Sequence, residues 1–400
     1  MPKKFVPALQ RTRNFFELYQ YICGKSEVPT VYHFWASVSL LSAVLENNVW
    51  FEKFRGEELY PHLYICLIGP GGLGKGMAIS QAARLAKESV QMSSYRGKLT
   101  AAHLVDVLGK VEKDEYGRKK IPEPKLWLIM DELKNDVGSN KQLVEEFIAM
   151  MTEIYTASNY QINTGTRTGG KVDIENPIIN WLFGSTEAWL KLVLTKDIVD
   201  SGFTSRACFI FGEHDFNVRC PRIIYPPDYD EVFEHLKMRL WMFQQTRGRI
   251  LMTPEAEAMQ DKWYMTRPNP EDEALFATWR RQHDMLLKFA MLCCLADGGP
   301  AVIRTVHFNR ARAMVNSINK YAAKLLEVAH ETFDTKPSND VEIYIKSKKI
   351  IDHSTALRYF RARKGMDAKK FKQAVWNLVQ EGAVKANRTE KGGIVYEWIG

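Results

Sequence analysis

The stretch Gly69–Ala78, GPGGLGKGMA, follows the apolar run LYICLI at Leu63–Ile68. A buried strand that runs into a glycine-rich turn and then a helix is the layout of a phosphate-binding loop. Glycines let the chain curve so that backbone N–H groups face an anion, and the start of the following helix adds a favourable field. Gly69, four intervening residues, Gly74 and Lys75 have the spacing of such a loop. The candidate phosphate-binding residues are therefore Gly69, Pro70, Gly71, Gly72, Leu73, Gly74, Lys75, Gly76 and Met77, with Lys75 set for the β- and γ-phosphates. The position after that lysine normally carries a Ser or Thr that holds magnesium. Here it is Gly76, and the next hydroxyl on the helix is Ser80, one turn along.

Magnesium-nucleotide chemistry also needs an acid at the end of a neighbouring strand, with a carboxylate beside it to orient or deprotonate water. Asp131-Glu132, after LWLIM, supply both: Asp131 for magnesium and Glu132 for water. An acid pair in that place equally suits the start of a helix. Ser185 and Thr186 end the strand IINWLFG. Either hydroxyl suits positioning the attacking water, from a strand lying between the two phosphate-site strands. Either also suits capping the helix EAWLKLVL, with Glu187 in its first turn. Arg206, in GFTSRACFIF, precedes a further strand. A lone arginine there is a surface charge or, coming after the whole phosphate-binding core, an arginine finger given to the γ-phosphate across a subunit boundary.

These groups need a frame. Strand patterns alternating with helical ones predict an α/β fold with a parallel sheet and helices on both faces. Residues 1–48 read as an N-terminal helical segment, 49–227 as the strand-rich core and 228–335 as a helical domain broken at RPNPED and ADGGPAV. Lys336-Pro337-Ser338-Asn339 reads as a linker to residues 336–400. YQINTGTRTGGKVDI has a hairpin signal, alternating residues around a Gly/Thr-rich tip.

The chain of 400 residues has no apolar run long enough for a membrane span, so no membrane partner is expected. No secretion signal is read in MPKKFVPALQRTRNFF, and six cysteines without CxxC or metal-ligand spacing read as reduced thiols, so a cytoplasmic protein is expected. Of the formal charge of +8, the stretch 336–400 holds +7, with 14 Lys and Arg against 7 Asp and Glu. Such a local basic surface favours nucleic acid as a partner.

Taken in order, GPGGLGKG, LWLIMDE, the basic hairpin, ENPIINWLFGSTEAWL and SGFTSRACFIF resemble AAA+ ATPases. More narrowly they look like the primase-associated helicase domains of phages and mobile elements, related to superfamily 3 and minichromosome-maintenance helicases. The resemblance covers roughly residues 30–330. It implies a hexameric, ATP- and Mg²⁺-dependent DNA motor that threads a strand through a central pore, in a bacterial host cytoplasm if phage-encoded. No primase-like constellation accompanies it, so any primase or polymerase partner would be a separate protein or absent. By the same resemblance Lys75 contacts phosphate, Asp131 magnesium, Glu132 water, Ser185 or Thr186 is the first sensor, and Arg206 is the finger. Residues 228–335 become a helical lid. In TWRRQHDMLLKFAMLCCLADGG, Arg281 or the adjacent Arg280 matches the second sensor, with Lys288 further along that helix. The hairpin tip GTRTGGK corresponds to a pore hairpin whose Arg167 and Lys171 would grip the DNA backbone without regard to sequence. Two solubilising charges on an exposed hairpin would look the same.

Residues 340–400 read as a winged helix: three helices, then two strands around TEKGG. In DAKKFKQAVWNLVQEG, Asp367 suits the N-cap and Gly382 the stop. Phe371, Val375, Leu378 and Val379 share one face, leaving Lys369, Lys370 and Lys372 more exposed. Arg388 and Lys391 lie near the wing. These five are candidate DNA contacts, unless the module packs on protein. Together the residues predict an ATP-dependent DNA helicase or translocase, with an ATP-switched origin initiator or helicase loader of slow turnover as the alternative.

Overall fold

The computed structural model describes residues 14–109, 124–138, 140–156, 164–166, 170–172, 174–194, 198–199, 201–215, 218–270, 275–364, 366, 368–380, 382–388 and 393–399. For residues 141, 164–166, 170–172, 192, 323, 326–339, 364 and 370 only the backbone is described. The chain divides into two compact units, Met1–Leu325 and Leu326–Gly400.

The first unit begins with helices α1 (Phe15–Cys23) and α2 (Thr30–Leu45), strands β1 (Val49–Phe54), β2 (Glu57–Leu59) and β3 (Tyr64–Ile68), and helix α3 (Lys75–Ser89). Then come β4 (Ser94–Arg96), α4 (Ala101–Leu108), β5 (Lys125–Met130), α5 (Leu133–Val137), α6 (Lys141–Tyr155), the hairpin β6 (Thr164–Thr166) and β7 (Gly170–Val172), β8 (Ile178–Ser185), α7 (Glu187–Val193) and β9 (Ala207–Phe211). It continues through α8 (Tyr229–Gln245), β10 (Gly248–Arg249), β11 (Leu251–Met252), α9 (Pro254–Thr266), α10 (Phe276–Ala296), β12 (Val302–Ile303) and into α11 (Thr305–Lys348).

Five of these strands form an all-parallel sheet in the order β4-β5-β8-β3-β9. Ile65, Leu67, Ile129, Leu182 and Ile210 turn to one face, into a core shared with α1, α2, α3, α8 and α10. Cys66, Ile68, Leu128, Phe183 and Phe209 turn to the other, against α4, α6 and α7. Burial on both faces is why β3, β5, β8 and β9 read as unbroken apolar runs. The expected α/β class with helices on both faces of a parallel sheet is therefore present.

Helix α2 is buried nearly all round, including its serines. Two of those hydroxyls tie the helix to the sheet and its approach: Ser39 Oγ accepts from Trp127 Nε1 at 3.1 Å, and Ser42 Oγ donates to the Pro61 carbonyl at 2.6 Å and meets the Asn180 side chain. Asn180 Oδ1 in turn accepts from the Leu63 amide at 3.0 Å, fixing the entry to β3. The region after Asp228 is mostly helical, yet β10 pairs in parallel with β1, and β11 with β12. Two-residue pairings leave no periodic trace in a sequence.

Helix α11 continues through Lys336–Asn339, the stretch read as a linker. A proline removes one backbone donor, which a helix bonded on either side can tolerate at some cost. The second unit then adds β13 (Ile350–Asp352), α12 (His353–Lys364), α13 (Ala368–Gln380), β14 (Val384–Arg388) and β15 (Ile394–Trp398), around its own core of Val341, Ile345, Phe360, Phe371, Leu378 and Tyr396. Its antiparallel sheet runs β13-β15-β14. Two strands were expected; β13 is the third, too short to show alternation. Gly382, at φ +74°, ends α13: its amide donates to Val379 O and that of Ala383 to Leu378 O.

Candidate functional site

At the carboxyl end of β3 the chain turns through residues 69–74 into α3. Gly74 is the cap of that helix at φ +84°, and a Cβ there would meet Val28 Cγ2 at 2.5 Å, so both conformation and close packing ask for glycine. Tyr32 of α2 supports the loop from behind, its hydroxyl donating to Ile68 O at 2.5 Å. Lys75 is 8% exposed, and its Nζ donates to the loop carbonyls Gly69 O (2.7 Å) and Pro70 O (2.9 Å). Burial lowers the Lys75 pKa from its ordinary value, and the Glu132 carboxylate opposes the shift. Loop, lysine and helix start thus form one continuous turn, with Lys75 folded back onto the loop.

Strand β8 lies between β3 and β5, so three strand ends converge there. Gly184 allows this: a Cβ on it would collide with the Asp131 carbonyl. Asp131 follows β5 directly and Glu132 is the N-cap residue of α5, its Oε2 accepting from Asn135 Nδ2 at 3.0 Å. A Cβ built on Gly76 would have Asp131 Oδ1 as its neighbour at 4.0 Å. Positions 76 and 131 therefore flank the same spot, and the hydroxyl missing from Gly76 would have faced Asp131. One carboxylate completed by phosphate oxygens and water is a donor set that magnesium accepts in nucleotide sites. The residues fit a magnesium ion carried on nucleotide phosphates and held by Asp131. They do not fit an ion held by protein alone: no group of three acid, His or Cys side chains able to hold one occurs among the described residues.

Asp131 already has a cation. Arg96, the last residue of β4, donates from Nε to Asp131 Oδ2 (2.8 Å) and from Nη2 to Asp131 Oδ1 (2.7 Å). The same Nη2 donates to Ser80 Oγ at 2.8 Å. The sequence reading missed Arg96, because nothing in SSYRGK marks a strand or a site.

The two hydroxyl candidates separate. Thr186 caps α7, its Oγ1 accepting from the Trp189 amide at 3.3 Å. Ser185 is buried and paired in register with Ile68, its carbonyl accepting from the Gly69 amide at 3.3 Å; its hydroxyl makes only a 3.5 Å contact to Thr186 O. Of these two residues, Ser185 is thus the one placed beside the start of the loop by its position in the sheet.

Arg206 lies at the other pole. It precedes β9, whose first residue, Ala207, pairs with Tyr64 at the amino end of β3. At ~3.3 Å per residue, the strand separates it from its own loop by roughly 16 Å. Arg206 Nη1 donates to Gly202 O at 2.8 Å, while its buried Nε has no partner among the described residues. Burial, and then the nearby Arg281, lower its pKa to about 10. Arg281 is at this pole too, in a cavity of about 140 Å³ lined by His62, Tyr155, Ser205, Asp284 and Lys288 as well. Arg280 instead points outward over the Phe276 ring. Of the two arginines, Arg281 is the one beside Arg206, and neither adjoins the loop of its own chain.

Lys288, 2% exposed, donates to His62 O (2.8 Å) and Tyr155 Oη (3.0 Å). Burial lowers its pKa to about 7, partly opposed by Asp284 and Cys208. The Asp284 carboxylate pairs with Lys53 at 2.7 Å. His62 is held well below its ordinary pKa, first by burial and then by the Lys288 charge.

Among the nucleic-acid candidates, Lys171 lies on β7 opposite Gly165, with its side chain outside the described residues; Arg167 lies outside them altogether. In the second unit Lys369, Lys372 and Arg388 are exposed. The Lys370 side chain, Asp367 and Lys391 are outside the described residues. Trp376, 57% exposed, sits one turn beyond Lys372 on the same side of α13, an aromatic group among these charges that the sequence reading did not single out. No described helix is long and apolar enough to cross a membrane. No protein-family model matches the chain, and no curated protein matches it.

Proposed function

We propose that this protein is an ATP-dependent DNA helicase or translocase of AAA+ type, serving phage or mobile-element replication. The observation that carries it is the strand order β5-β8-β3, which brings Lys75, Asp131-Glu132 and Ser185 to adjacent carboxyl ends, with Arg206 and Arg281 at the opposite ends. Ligands in open parallel sheets bind beyond the carboxyl ends of the strands. The loop amides and Lys75 would take the β- and γ-phosphates, Lys75 exchanging its two carbonyl partners for phosphate oxygens. Magnesium, when bound at Asp131, would neutralise phosphate charge. Glu132 would orient the attacking water and accept its proton, with Ser185 as the hydroxyl sensing that water. Arg206 is too far along the strand to serve its own loop, so it would serve the nucleotide of a neighbouring copy in a ring, a hexamer by resemblance, with Arg281 beside it. The β6–β7 hairpin would grip single-stranded DNA in the pore. The second unit, three helical segments and a three-stranded sheet with Lys369, Lys372 and Arg388 exposed, would act as a winged helix on duplex DNA. A separate primase or polymerase would complete the machinery.

An ATP-switched origin initiator or helicase loader is favoured by two observations, the missing hydroxyl at Gly76 and the occupation of Asp131 by Arg96, as suits slow turnover. Steady-state ATPase with and without single-stranded DNA separates the two. For a motor, DNA stimulates turnover, Lys75→Ala abolishes it, and Arg206→Ala lowers it by about a thousandfold while nucleotide still binds. Tight ATP binding with negligible turnover in every condition would reject the motor and leave the switch.

A further inference from the structure

We propose that Arg96 is a resident cation of the nucleotide site, so that nucleotide binds without a divalent metal and magnesium reaches Asp131 only by displacing Arg96. This rests on the nucleotide-site assignment above and concerns the half of the site that departs from the usual loop.

Three observations converge on it. First, the guanidinium engages both oxygens of Asp131, at 2.8 and 2.7 Å, in the fork geometry that distinguishes arginine from lysine at carboxylates. Second, Nη2 is shared with Ser80 on α3, at 2.8 Å, so the group is held from the acid strand and from the helix of the phosphate loop at once. Third, the position that would supply a hydroxyl for magnesium is Gly76, and the space above it opens onto the same Asp131 Oδ1 that Arg96 holds. A lysine or arginine from a strand end beside a phosphate loop supplies a permanent positive charge, where magnesium would supply one only at sufficient concentration.

The pair is also displaceable. Both side chains are a little under half exposed, 43% for Arg96 and 45% for Asp131. Ion pairs that open to water are weak and exchange readily. Asp131 can therefore pass from guanidinium to a metal that arrives on phosphate oxygens, while Arg96 keeps Ser80 or turns to the phosphates. Binding and metal-dependent chemistry become separable in this arrangement: the loop, Lys75 and Arg96 hold the nucleotide, and the exchange at Asp131 sets when the metal enters.

The test is equilibrium binding of a fluorescent ADP analogue to the full chain, by anisotropy, in excess EDTA and in excess magnesium. Wild type should bind with affinities that agree within about threefold in the two conditions. Arg96→Gln should lose about tenfold or more in EDTA, the scale of a charge-assisted bond, and recover most of it in magnesium. Arg96→Lys, which keeps the charge and loses the fork, should fall between them. A wild-type protein that needs magnesium for binding by more than about tenfold, or an Arg96→Gln protein that behaves as wild type in both conditions, overturns the role of Arg96 and leaves the nucleotide site standing. Absence of binding by wild type in both conditions overturns the nucleotide site itself. The wild-type comparison needs no variant to fold, and thermal melts of the two variants check that their losses are local.

Discussion

Position 76 is where a single hydroxymethyl group separates this loop from a usual magnesium-nucleotide site. Gly76→Ser would add a hydroxyl beside Asp131 Oδ1, with open space for the Cβ, and serine costs a helix less than glycine. We expect the melting temperature to move by no more than about 2 °C and magnesium-dependent turnover to rise about tenfold, the scale of one bond to a charged group. Unchanged turnover in the serine variant, with a rise only in the double variant carrying Arg96→Gln, would identify the Arg96 clamp as the limit. The contrast between these two residues says what a sequence can disclose. Gly76 is legible as a departure because the glycine spacing and Lys75 fix what ought to stand there. Arg96 is not, because its importance comes from tertiary pairing of β4 with β5, Arg96 opposite Ile129, that no local pattern announces. Tyr32 is the same case: its bond to Ile68 O joins residues 36 apart in the chain.

The elements were legible in proportion to their burial. Strands β3, β5, β8 and β9 stand out because both faces are covered, whereas β4, an edge strand of three partly exposed residues, leaves no run to see. Helix α10 shows the same limit from the other side. MLLKFAMLCC reads as a core helix with one polar interruption. That the interruption, Lys288, is buried on a backbone carbonyl and a phenol comes from the packing of α10 on the entry to β3 and the end of α6. A consequence for stability follows. Below about pH 7 Lys288 is protonated in both the folded and the unfolded chain, and the cost of burying its charge is felt in full. Between about 7 and the ordinary 10.5 the folded chain has released a proton that the unfolded chain still holds, so this residue makes stability rise with pH. His62, Tyr155, Cys208, Arg281, Asp284 and Lys53 surround the group and share in its titration. Denaturant midpoints measured at pH 7 and pH 9 should therefore increase for wild type, with that increment lost or sharply reduced in Lys288→Met. An equal increment in both proteins would show that Lys288 keeps its charge in the fold, or that its neighbours carry the whole pH dependence.

For the molecule as a whole, the separation of the two poles has a consequence that a single copy cannot express. Lys75 and Arg206 lie at opposite ends of parallel neighbours β3 and β9, roughly 16 Å apart by strand rise. A head-to-tail contact, in which the carboxyl-end pole of one copy meets the amino-end pole of the next, is a heterologous interface, and such interfaces close into rings when the rotation allows. Each composite site would then draw its loop from one copy and its finger from another. Lys75→Ala spoils the first contribution and Arg206→Ala the second, so neither variant alone assembles a complete site. In an equal mixture that reassembles at random, about a quarter of interfaces combine an intact loop from the Arg206→Ala copy with an intact finger from the Lys75→Ala copy. DNA-stimulated ATPase should therefore reappear on mixing two inactive proteins, approaching that fraction of wild type if the sites fire independently and falling below it if they must fire in sequence around the ring. Size measured by sedimentation in the same mixtures separates failure to assemble from failure to complement. Mixed assemblies with no recovered activity would place Arg206 outside any shared site and leave it as a half-buried residue of its own copy, tied to Gly202 O.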